Sequence, residues 1–411
     1  MQNFTTDNIP EFVKVKHVQY GDEDTKYHYS IYNLENEFLP NADLKNRIYR
    51  SAIMCGNKLL ALAPAKSLTN DNFATANKVS LNNFLANKVS ANKVSANKVC
   101  ANEIIEGTMI NMFWDPNLEK WEIATKKSIG GKYFFFRNKY EGDLEEPEQK
   151  TFREMFLEGF ALNNLSLDKS YSYSFVMQHP SNHIVLPIDK PAVYLVHTYK
   201  FAEDNTYAYI NPKSHPNYEY FVKMGVKFAR DFVLAPGKTL EEQFVDSTHH
   251  VLDHIPNLEE SLSNPLNQYT NIGVMITDQE TGLRTAYYNK MYLEAKTLRG
   301  NNPNLHYQYL MLRKIGKVSE FLRYFPQYRK HFNKFLEHFT FFMERIHKLY
   351  WEVHVKKTLS VTEIPEKHDK YFVEKLHYEV FLPRHRENKK FFINKKEVVK
   401  FLDGEKVMVP I

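Results

Sequence analysis

The chain has 411 residues, of which 43% are hydrophobic and 14% aromatic, which excludes an intrinsically disordered protein and leaves room for two domains. Its formal net charge of +5 is unevenly spread, with 22 basic against 13 acidic residues over 311–411 and a net charge of −4 over 1–310. The basic C-terminal region favours a polyanionic partner, although a solvated helical surface would produce the same composition.

The first hundred residues predict a polar start, a hairpin and a repeat. Residues 1–45 have little periodicity, which indicates an irregular leader or a peripheral strand. Two apolar runs within 48–63 are joined by Gly56-Asn57, which predicts a β-hairpin. The unit Ala-Asn-Lys-Val-Ser then recurs over 76–100. A lysine stands at the centre of each unit, where a β-solenoid needs an apolar side chain, so the repeat predicts a low-complexity surface loop rather than a lysine strip that contacts phosphate.

The middle of the chain predicts an antiparallel body. In the stretch 103–114, apolar residues flank Glu106-Gly107 on both sides, a pattern typical of a strand that turns beside a ligand pocket. Residues 152–162 have the apolar spacing of a helix. A strand that ends in a basic turn is predicted at 121–132, and a pair of strands at 171–187. Further single strands are predicted at 192–199, 271–277 and 283–288.

The pattern becomes helical after Pro303. Apolar residues recur at three- and four-residue steps between Phe332 and Val353, which predicts a long amphipathic helix that begins near Pro326. A second helix is predicted over 366–382. The residues Asn394 and Glu397 have the spacing of a capping box before a third helix. The long helix carries basic residues off its apolar stripe, namely Lys330, Lys334, Arg345 and Lys348.

The two cysteines, Cys55 and Cys100, have no metal-ligand spacing. The N-terminus has no basic segment followed by an apolar one, and no apolar run approaches the ~18 residues that cross a bilayer. These features predict an intracellular protein that is not secreted, does not enter membranes and has no metal site of its own.

Five groups of residues occur in a distinctive order along the chain. They are Arg50-Ser51 with Lys66, Ile104-Ile105-Glu106-Gly107, 173–176 with 182–185, 272–275, and 286–288 with Tyr292. This order resembles that of the covalent nucleotidyltransferases, in particular the RNA ligases of the bacteriophage tRNA-repair type. It is closer still to uncharacterised ligase-like proteins of giant DNA viruses.

The resemblance implies an α+β fold, with an antiparallel-sheet nucleotidyltransferase domain followed by an all-α C-terminal domain. It extends from about residue 45 to 300. The implied organisation is a leader at 1–45, a ligase-like domain at 46–300 with the repeat 76–100 inserted, and a basic helical domain at 304–411.

The resemblance also implies that the catalytic groups have been lost. The family's Lys-x-Asp-Gly lysine attacks the α-phosphate of ATP and carries AMP as a covalent adduct, whereas Ile104 stands at that position. Two family glutamates that hold ribose and metal are replaced by Ser174 and Ile272. Two family lysines that neutralise phosphate are replaced by Ala286 and Tyr288. We therefore expect a retained fold without a catalytic site.

The expected binding residues fall into two groups. Those implied for a nucleotide or phosphate are Arg50, Lys66, Glu106, Gly107, Lys126 and Lys127. Those expected to contact nucleic acid are the four basic residues of the long helix, with nearby Tyr and Phe side chains stacking on unpaired bases. Considered one at a time, Arg50, Lys66, Lys126 and Lys127 fit an ordinary exposed charge better than a phosphate ligand.

Three hypotheses follow from the sequence. The first is a catalytically impaired RNA-ligase-fold protein that binds RNA, DNA or a nucleotide. The second is an active ATP-dependent RNA ligase for RNA repair whose motifs are misregistered, and it alone requires ATP and Mg²⁺. The third is a structural or scaffolding virus protein. The resemblance to viral proteins places the chain in the cytoplasm of an infected cell or in a virion.

Overall fold

The fold is described from a computed structural model, over residues 2–7, 9–22, 24–34, 44–69, 72–73, 99–134, 150–232, 272–300 and 304–404. It divides into two compact units, Met1–Thr297 and Leu298–Ile411. The predicted repeat loop lies outside the described residues except for its last two positions. Antiparallel sheets make up the first unit and helices the second, which confirms the predicted α+β class.

The chain begins with a short strand and a four-stranded antiparallel sheet of order β2-β3-β4-β5. The strands are β1 Gln2–Asn3, β2 Val13–Gly21, β3 Lys26–Leu34, β4 Ala52–Cys55 and β5 Lys58–Leu62. The β4–β5 hairpin turns at Gly56-Asn57 as predicted, with Gly56 at φ 55°. The sequence predicted an irregular leader or a peripheral strand for 1–45, and the described part forms strands. The strand β3 is not peripheral, because it pairs with strands on both sides and buries Ile31 and Leu34 in the core.

A larger sheet forms the centre of the first unit, with order β1-β12-β11-β10-β7-β8-β9. Its further strands are β7 Thr108–Asp115, β8 Lys120–Thr125, β9 Ser128–Ile129, β10 Tyr171–Gln178, β11 Ala192–Phe201, β12 Thr206–Ile210 and β13 Lys227–Phe228. All pairs along this order are antiparallel, and only the edge pair of β13 with β11 is parallel. Phe175 and Ile110, opposite one another on β10 and β7, are completely buried and belong to the main core.

The third sheet has three antiparallel strands in the order β15-β14-β6. They are β6 Val99–Glu103, β14 Gly273–Asp278 and β15 Arg284–Tyr288. Because β6 and β7 belong to different sheets, residues 104–107 carry the chain from one sheet to the other. The predicted turn and the strand after it are thus confirmed, whereas the strand before the turn, β6, ends at Glu103 and does not include Ile104 and Ile105.

Two short helices accompany these sheets, α1 Phe152–Gly159 and α2 Tyr218–Lys223. Thr151 caps α1 through its side chain, and the Glu154 side chain accepts from the Thr151 N–H, which together form a capping box. The helix α1 buries Phe152, Met155 and Phe156 in the main core. The predicted helix at 152–162 is therefore confirmed, with its end at Gly159.

After α3 Lys290–Arg299, the described residues of the second unit form helices and the short connections between them. Its α-helices are α4 Leu305–Lys314, α5 Val318–Tyr324, α6 Arg329–Tyr350, α7 Lys367–Lys375, α8 Leu382–Glu387 and α9 Lys395–Gly404. The stretch Trp351–Lys356 continues α6 as a π-helix, and Leu376–Phe381 joins α7 to α8 in the same way. No helix of the described chain is long and apolar enough to cross a membrane.

The long helix α6 confirms the predicted amphipathic helix. Its apolar stripe is buried against α7 and α9, so the periodic Phe residues form a core and not a cofactor site. The predicted capping box before α9 is only half formed. Asn394 Oδ1 accepts from the Glu397 N–H at 3.1 Å, whereas the Glu397 carboxylate pairs with Arg384 and with Lys400.

Candidate functional site

A cavity of about 370 Å³ lies between the central sheet and the three-stranded sheet. One part of its wall is apolar and is formed by Ile104, Met109, Val176, Leu195 and Met275. The basic residues of its lining include Arg50, Arg284 and Lys296. An apolar wall beside a few polar groups is the usual composition of a small-molecule site.

The bend between β6 and β7 is held by the carboxylate of Glu106, which is 7% exposed. Glu106 Oε1 accepts hydrogen bonds from the backbone N–H groups of Ile184 at 2.9 Å, Val185 at 2.8 Å and Leu186 at 3.3 Å. Glu106 Oε2 accepts from the Tyr292 hydroxyl at 3.0 Å. One acidic side chain therefore ties together three distant segments of the first unit.

These bonds correct the prediction of a strand pair over 171–187. The first strand exists as β10, but the residues after the turn form no second strand. The N–H groups of Ile184, Val185 and Leu186 converge on the Glu106 carboxylate and so are not available to a strand partner. A strand pattern read along the chain could not reveal this use of the backbone donors.

Gly107 allows this bend to approach β10. Its φ is 156°, and a Cβ at this position would stand 2.3 Å from the carbonyl oxygen of Met177. The neighbouring Glu106 carbonyl accepts from Gln178 Nε2 at 2.9 Å. The acidic-Gly step is thus required by close packing of two strands, and Gly107 contributes to the cavity wall.

The five positions expected to have lost catalytic groups lie in different settings. Ile104 and Tyr288 line the cavity, and the Ile104 N–H donates to the Gly273 carbonyl at 3.0 Å. Ser174 is buried in β10 and donates to Asn111 Oδ1 at 2.8 Å. Ile272 is also buried, and Ala286 pairs with Met275 across β15 and β14.

Arg50 and Arg284 are the most unusual groups of the cavity, because their hydrogen bonds to the described part of the chain go to main-chain carbonyl groups. Arg50 Nη1 donates to the Pro64 carbonyl at 3.2 Å, and Arg284 Nε to the Ala65 carbonyl at 3.2 Å. Within the described residues, no carboxylate forms an ion pair with either guanidinium. Burial, together with the charge of Arg50, lowers the pKa of Arg284 to about 10. The cavity therefore contains concentrated positive charge, and Glu103, the acidic residue of its lining, pairs with Arg230 at 2.7 Å instead.

Lys66 adds to this basic region. Its side chain reaches the surface but is partly covered. This partial burial, followed by the charges of Arg50, Arg47 and Lys296, lowers the pKa of Lys66. Lys296 lies with its Nζ 6.0 Å from the ring centroid of Tyr288. Positive charges this close together create a positive electrostatic potential, which attracts an anion.

His197 lies behind the two arginines and is 1% exposed. Its pKa is held well below the usual range by burial first, and then by the charges of Arg284 and Arg50. Its Nε2 has no hydrogen-bond partner within the described structure. The ring packs 4.4 Å from the ring of Tyr209. His197 is therefore neutral at physiological pH and adds no charge to the cavity.

The predicted phosphate-binding residues Lys126 and Lys127 lie apart from the cavity lining, in the turn between β8 and β9. The Lys126 carbonyl accepts from Asn33 Nδ2 at 3.3 Å. The same amide donates to the Arg50 carbonyl at 2.9 Å. The turn is thus tied to the backbone of Arg50, while its lysine side chains remain a proposal as phosphate ligands.

Arg284, Lys296 and His197 are site residues that the sequence patterns did not predict. A signal for Arg284 was present, because it lies two residues before Ala286 on a predicted strand and so points to the same face. No comparable pattern marks Lys296 or His197, which reach this region through the packing of α3 and β11. Among the described residues, no group of three or more His, Cys, Asp or Glu side chains is placed to hold a metal ion.

The four basic residues of the long helix are in the second unit. Lys330 and Lys334 are exposed, and Lys348 Nζ lies 4.0 Å from Glu352 Oε1. Arg345 differs from them, because its Nε and Nη2 each lie 2.9 Å from a carboxylate oxygen of the buried Asp369. Its guanidinium is therefore engaged inside the unit.

Comparison with known proteins finds one significant sequence match. An RNA ligase of Rhodothermus phage RM378 is 29% identical over 113 residues, which cover 26% of this chain and 24% of the ligase. The match thus spans about a quarter of that relative. No protein-family model matches the chain.

Several solved ligase structures superpose over much of the chain. A putative ATP-dependent DNA ligase from Aquifex aeolicus has a TM-score of 0.38 and 11% identity, covering 94% of this chain and 84% of its own. An archaeal ATP-dependent RNA ligase has a TM-score of 0.37 and 12% identity, with coverages of 94% and 82%. A Naegleria gruberi RNA ligase variant has a TM-score of 0.34 and 11% identity, with coverages of 69% and 77%. These TM-scores are too low to carry a structural argument. The sequence match to the phage enzyme confirms the predicted resemblance of this chain to the RNA ligases of the covalent nucleotidyltransferase superfamily.

Proposed function

We propose that the chain is an RNA-ligase-fold protein that holds a phosphorylated nucleotide, or the phosphate of a nucleic acid, without forming a covalent adduct. The observation that carries this proposal is the pair Arg50 and Arg284 in a cavity whose wall contains Ile104. The guanidinium groups supply affinity for phosphate. The apolar side chain at 104 supplies no nucleophile.

The charge arrangement supports an anionic ligand. Placing two cations below the protein surface costs solvation energy, and here the carbonyl groups of Pro64 and Ala65 offset only part of it. A phosphate would supply the missing opposite charge and accept bidentate hydrogen bonds from the guanidinium groups. Since guanidinium groups stay protonated and are poor nucleophiles, they are suited to binding phosphate rather than to carrying AMP.

The cavity also suits the rest of a nucleotide. Its volume of about 370 Å³ lies within the range of ordinary small-molecule sites. The apolar wall offers Ile104, Val176 and Met275 for contact with a base. Tyr288, at 39% exposure, adds an accessible aromatic ring beside the basic groups. RNA or DNA is proposed as the wider partner, in keeping with the sequence match to a phage RNA ligase.

Arg284→Met is expected to weaken binding of ATP, AMP and pyrophosphate by more than tenfold, because it removes one of the two guanidinium groups from the cavity. Isothermal titration calorimetry on the full chain measures this. Arg386→Met is the matched control, since it makes the same change of charge at an exposed position of the second unit. Equal affinities in the wild type and both variants, or no binding by any of them, would contradict the proposed phosphate site.

Incubation of the chain with radiolabelled ATP and Mg²⁺ or Mn²⁺ is expected to give no protein–AMP adduct, because Ile104 has no nucleophilic atom. The measurement is label that stays with the denatured protein at neutral or alkaline pH, because the phosphoramidate bond between lysine and AMP is labile to acid. A wild-type adduct would overturn the pseudoenzyme proposal and favour the alternative of an active ATP-dependent RNA ligase that uses ATP and Mg²⁺. Peptide mapping would then identify the modified lysine.

A viral setting, in an infected cell or in a virion, is also proposed from the relation to a phage enzyme. The alternative of a structural virus protein differs in one measurable respect. It requires the chain in purified particles at a stoichiometry comparable to other structural components. A nucleotide-binding role requires no such abundance.

A further inference from the structure

One side of the long helix α6 carries a line of exposed residues of two kinds. Lys330, Lys334, Phe341 and Lys348 follow one another at steps of four, seven and seven residues, which place them on the same side of an α-helix. The opposite side buries its phenylalanines in the core of the second unit. We name the four residues the outer stripe of α6.

Phe341 is the unexpected member of the stripe. It is 65% exposed, whereas its sequence neighbours Phe339 and Phe342 are 3% and 2% exposed. The apolar periodicity of α6 is therefore complete without it, and packing of the unit does not explain a phenylalanine here. The Arg345 guanidinium lies 5.8 Å from its ring centroid, so one basic group approaches the ring while much of it stays accessible.

The charge of the stripe is positive. Lys330 and Lys334 make no ion pair with a described residue, and the Lys348 side chain is 76% exposed although it lies 4.0 Å from Glu352. Glu337 is exposed on the same side and opposes this charge in part. Glu344 nearby is neutralised by Lys395 at 2.6 Å. A helix face with net positive charge and an accessible ring complements a polyanion that carries flat apolar groups.

We propose that the outer stripe of α6 binds single-stranded nucleic acid, with Phe341 stacked on a base and the lysines in contact with phosphates. Aromatic rings among basic side chains are the usual means of binding single strands without sequence preference. A duplex keeps its bases stacked on one another and would leave the ring without a partner. The inference rests on the proposed function only in taking nucleic acid as the partner, because it concerns a different unit of the chain.

The length of the stripe sets the size of the ligand. With a rise of about 1.5 Å per residue, Lys334 and Lys348 each lie about 10 Å along the helix from Phe341. The whole stripe then measures about 27 Å. It is long enough for several nucleotides, and one stacked base near its middle would have phosphates on both sides within reach of lysines.

The test is fluorescence anisotropy of the full chain with a labelled uridine 12-mer that lacks a 5′-phosphate. Phe341→Ala is expected to weaken binding about tenfold, in line with the stacking energy of one base. Phe392→Ala is the matched control, because Phe392 is 66% exposed elsewhere in the same unit. The deoxythymidine 12-mer is expected to bind similarly and a blunt duplex more weakly.

The charge contribution is tested by the salt dependence of binding. Replacing Lys330, Lys334 and Lys348 together by alanine is expected to lower the slope of log affinity against log salt by about 2, at roughly 0.7 per phosphate contact of a single strand. A triple alanine variant of Lys389, Lys390 and Lys396, which are exposed and carry the same charge, is the control. Glu337→Gln is expected to strengthen binding.

The outcomes separate this inference from the phosphate site of the first unit. The Phe341 and triple-lysine variants are expected to unfold at the wild-type temperature and to bind AMP as the wild type does. Arg284→Met is expected to bind the unphosphorylated 12-mer normally. The inference is overturned if the stripe variants bind the 12-mer like the wild type, if the control variants lose as much affinity, or if the duplex binds more tightly.

Discussion

Replacing Glu106 by alanine is expected to lower the free energy of unfolding of the first unit by about 3–5 kcal/mol. The change removes the acceptor for three backbone N–H groups and the Tyr292 hydroxyl. A buried donor left without a partner costs roughly 1–3 kcal/mol, and bonds to a charged acceptor are stronger than neutral ones. Partial relaxation of the 184–186 segment and entry of water keep the expected total below the full sum.

Guanidinium chloride unfolding followed by tryptophan fluorescence measures this effect. Trp351 lies in the second unit, so a Trp351→Phe background leaves Trp114 and Trp121 to report on the first unit. The two units need not unfold together, which makes this separation necessary.

Two milder changes are the controls for Glu106. Tyr292→Phe removes a single hydrogen bond to the carboxylate and is expected to cost about 1.5–3 kcal/mol. Glu106→Gln keeps one acceptor oxygen for the backbone donors and is expected to cost less than the alanine change. If Glu106→Ala lowers the free energy of unfolding no more than Tyr292→Phe does, the backbone N–H groups do not depend on the carboxylate. The role assigned to Glu106 is then wrong.

The parts of the fold that the sequence could predict are those with local signals. The hairpin at Gly56-Asn57, the helix α1 and the long helix α6 each depend on turn chemistry or on apolar period within a short stretch. A local signal for β3 was present, because Tyr27, Tyr29 and Ile31 alternate with Lys26, His28 and Ser30. What the sequence could not show is the pairing of β3 with β2, whose side chains are mostly exposed, and with β4.

The candidate site shows the same division. Position 104 could be identified by its place before Glu106-Gly107, and the structure brings Ile104 beside Gly273 in the wall of the cavity. The positive charge of the cavity could not be predicted from a short local motif. Arg50 and Arg284 are 234 positions apart in the sequence, and they come together at the adjacent carbonyl groups of Pro64 and Ala65. The expectation that Ala286 and Tyr288 stand in place of two family lysines therefore does not imply a neutral site.

The second large effect is expected for Gly273→Ala, which should lower the free energy of unfolding of the first unit by more than about 3 kcal/mol. Gly273 has φ 145°, and a Cβ there would lie 2.0 Å from the Tyr287 carbonyl oxygen and 2.9 Å from Tyr288 Cα. Both atoms belong to the backbone of β15, so relief requires the strands to separate. The same displacement would move the Gly273 carbonyl that accepts from the Ile104 N–H.

Gly225→Ala separates the clash from the cost of the backbone conformation alone. Gly225 also has a positive φ, 81°, but a Cβ there would meet no atom within 4 Å. It is expected to cost only about 1 kcal/mol, as for an alanine forced into a left-handed conformation. If Gly273→Ala lowers the free energy of unfolding no more than Gly225→Ala does, β14 and β15 can accommodate the added Cβ without separating. A large loss of unfolding free energy in Gly273→Ala, together with weaker binding of AMP, would show that Gly273 also supports the cavity. Gly273 allows β14 to pair closely with β15, and β15 positions Arg284 and Tyr288.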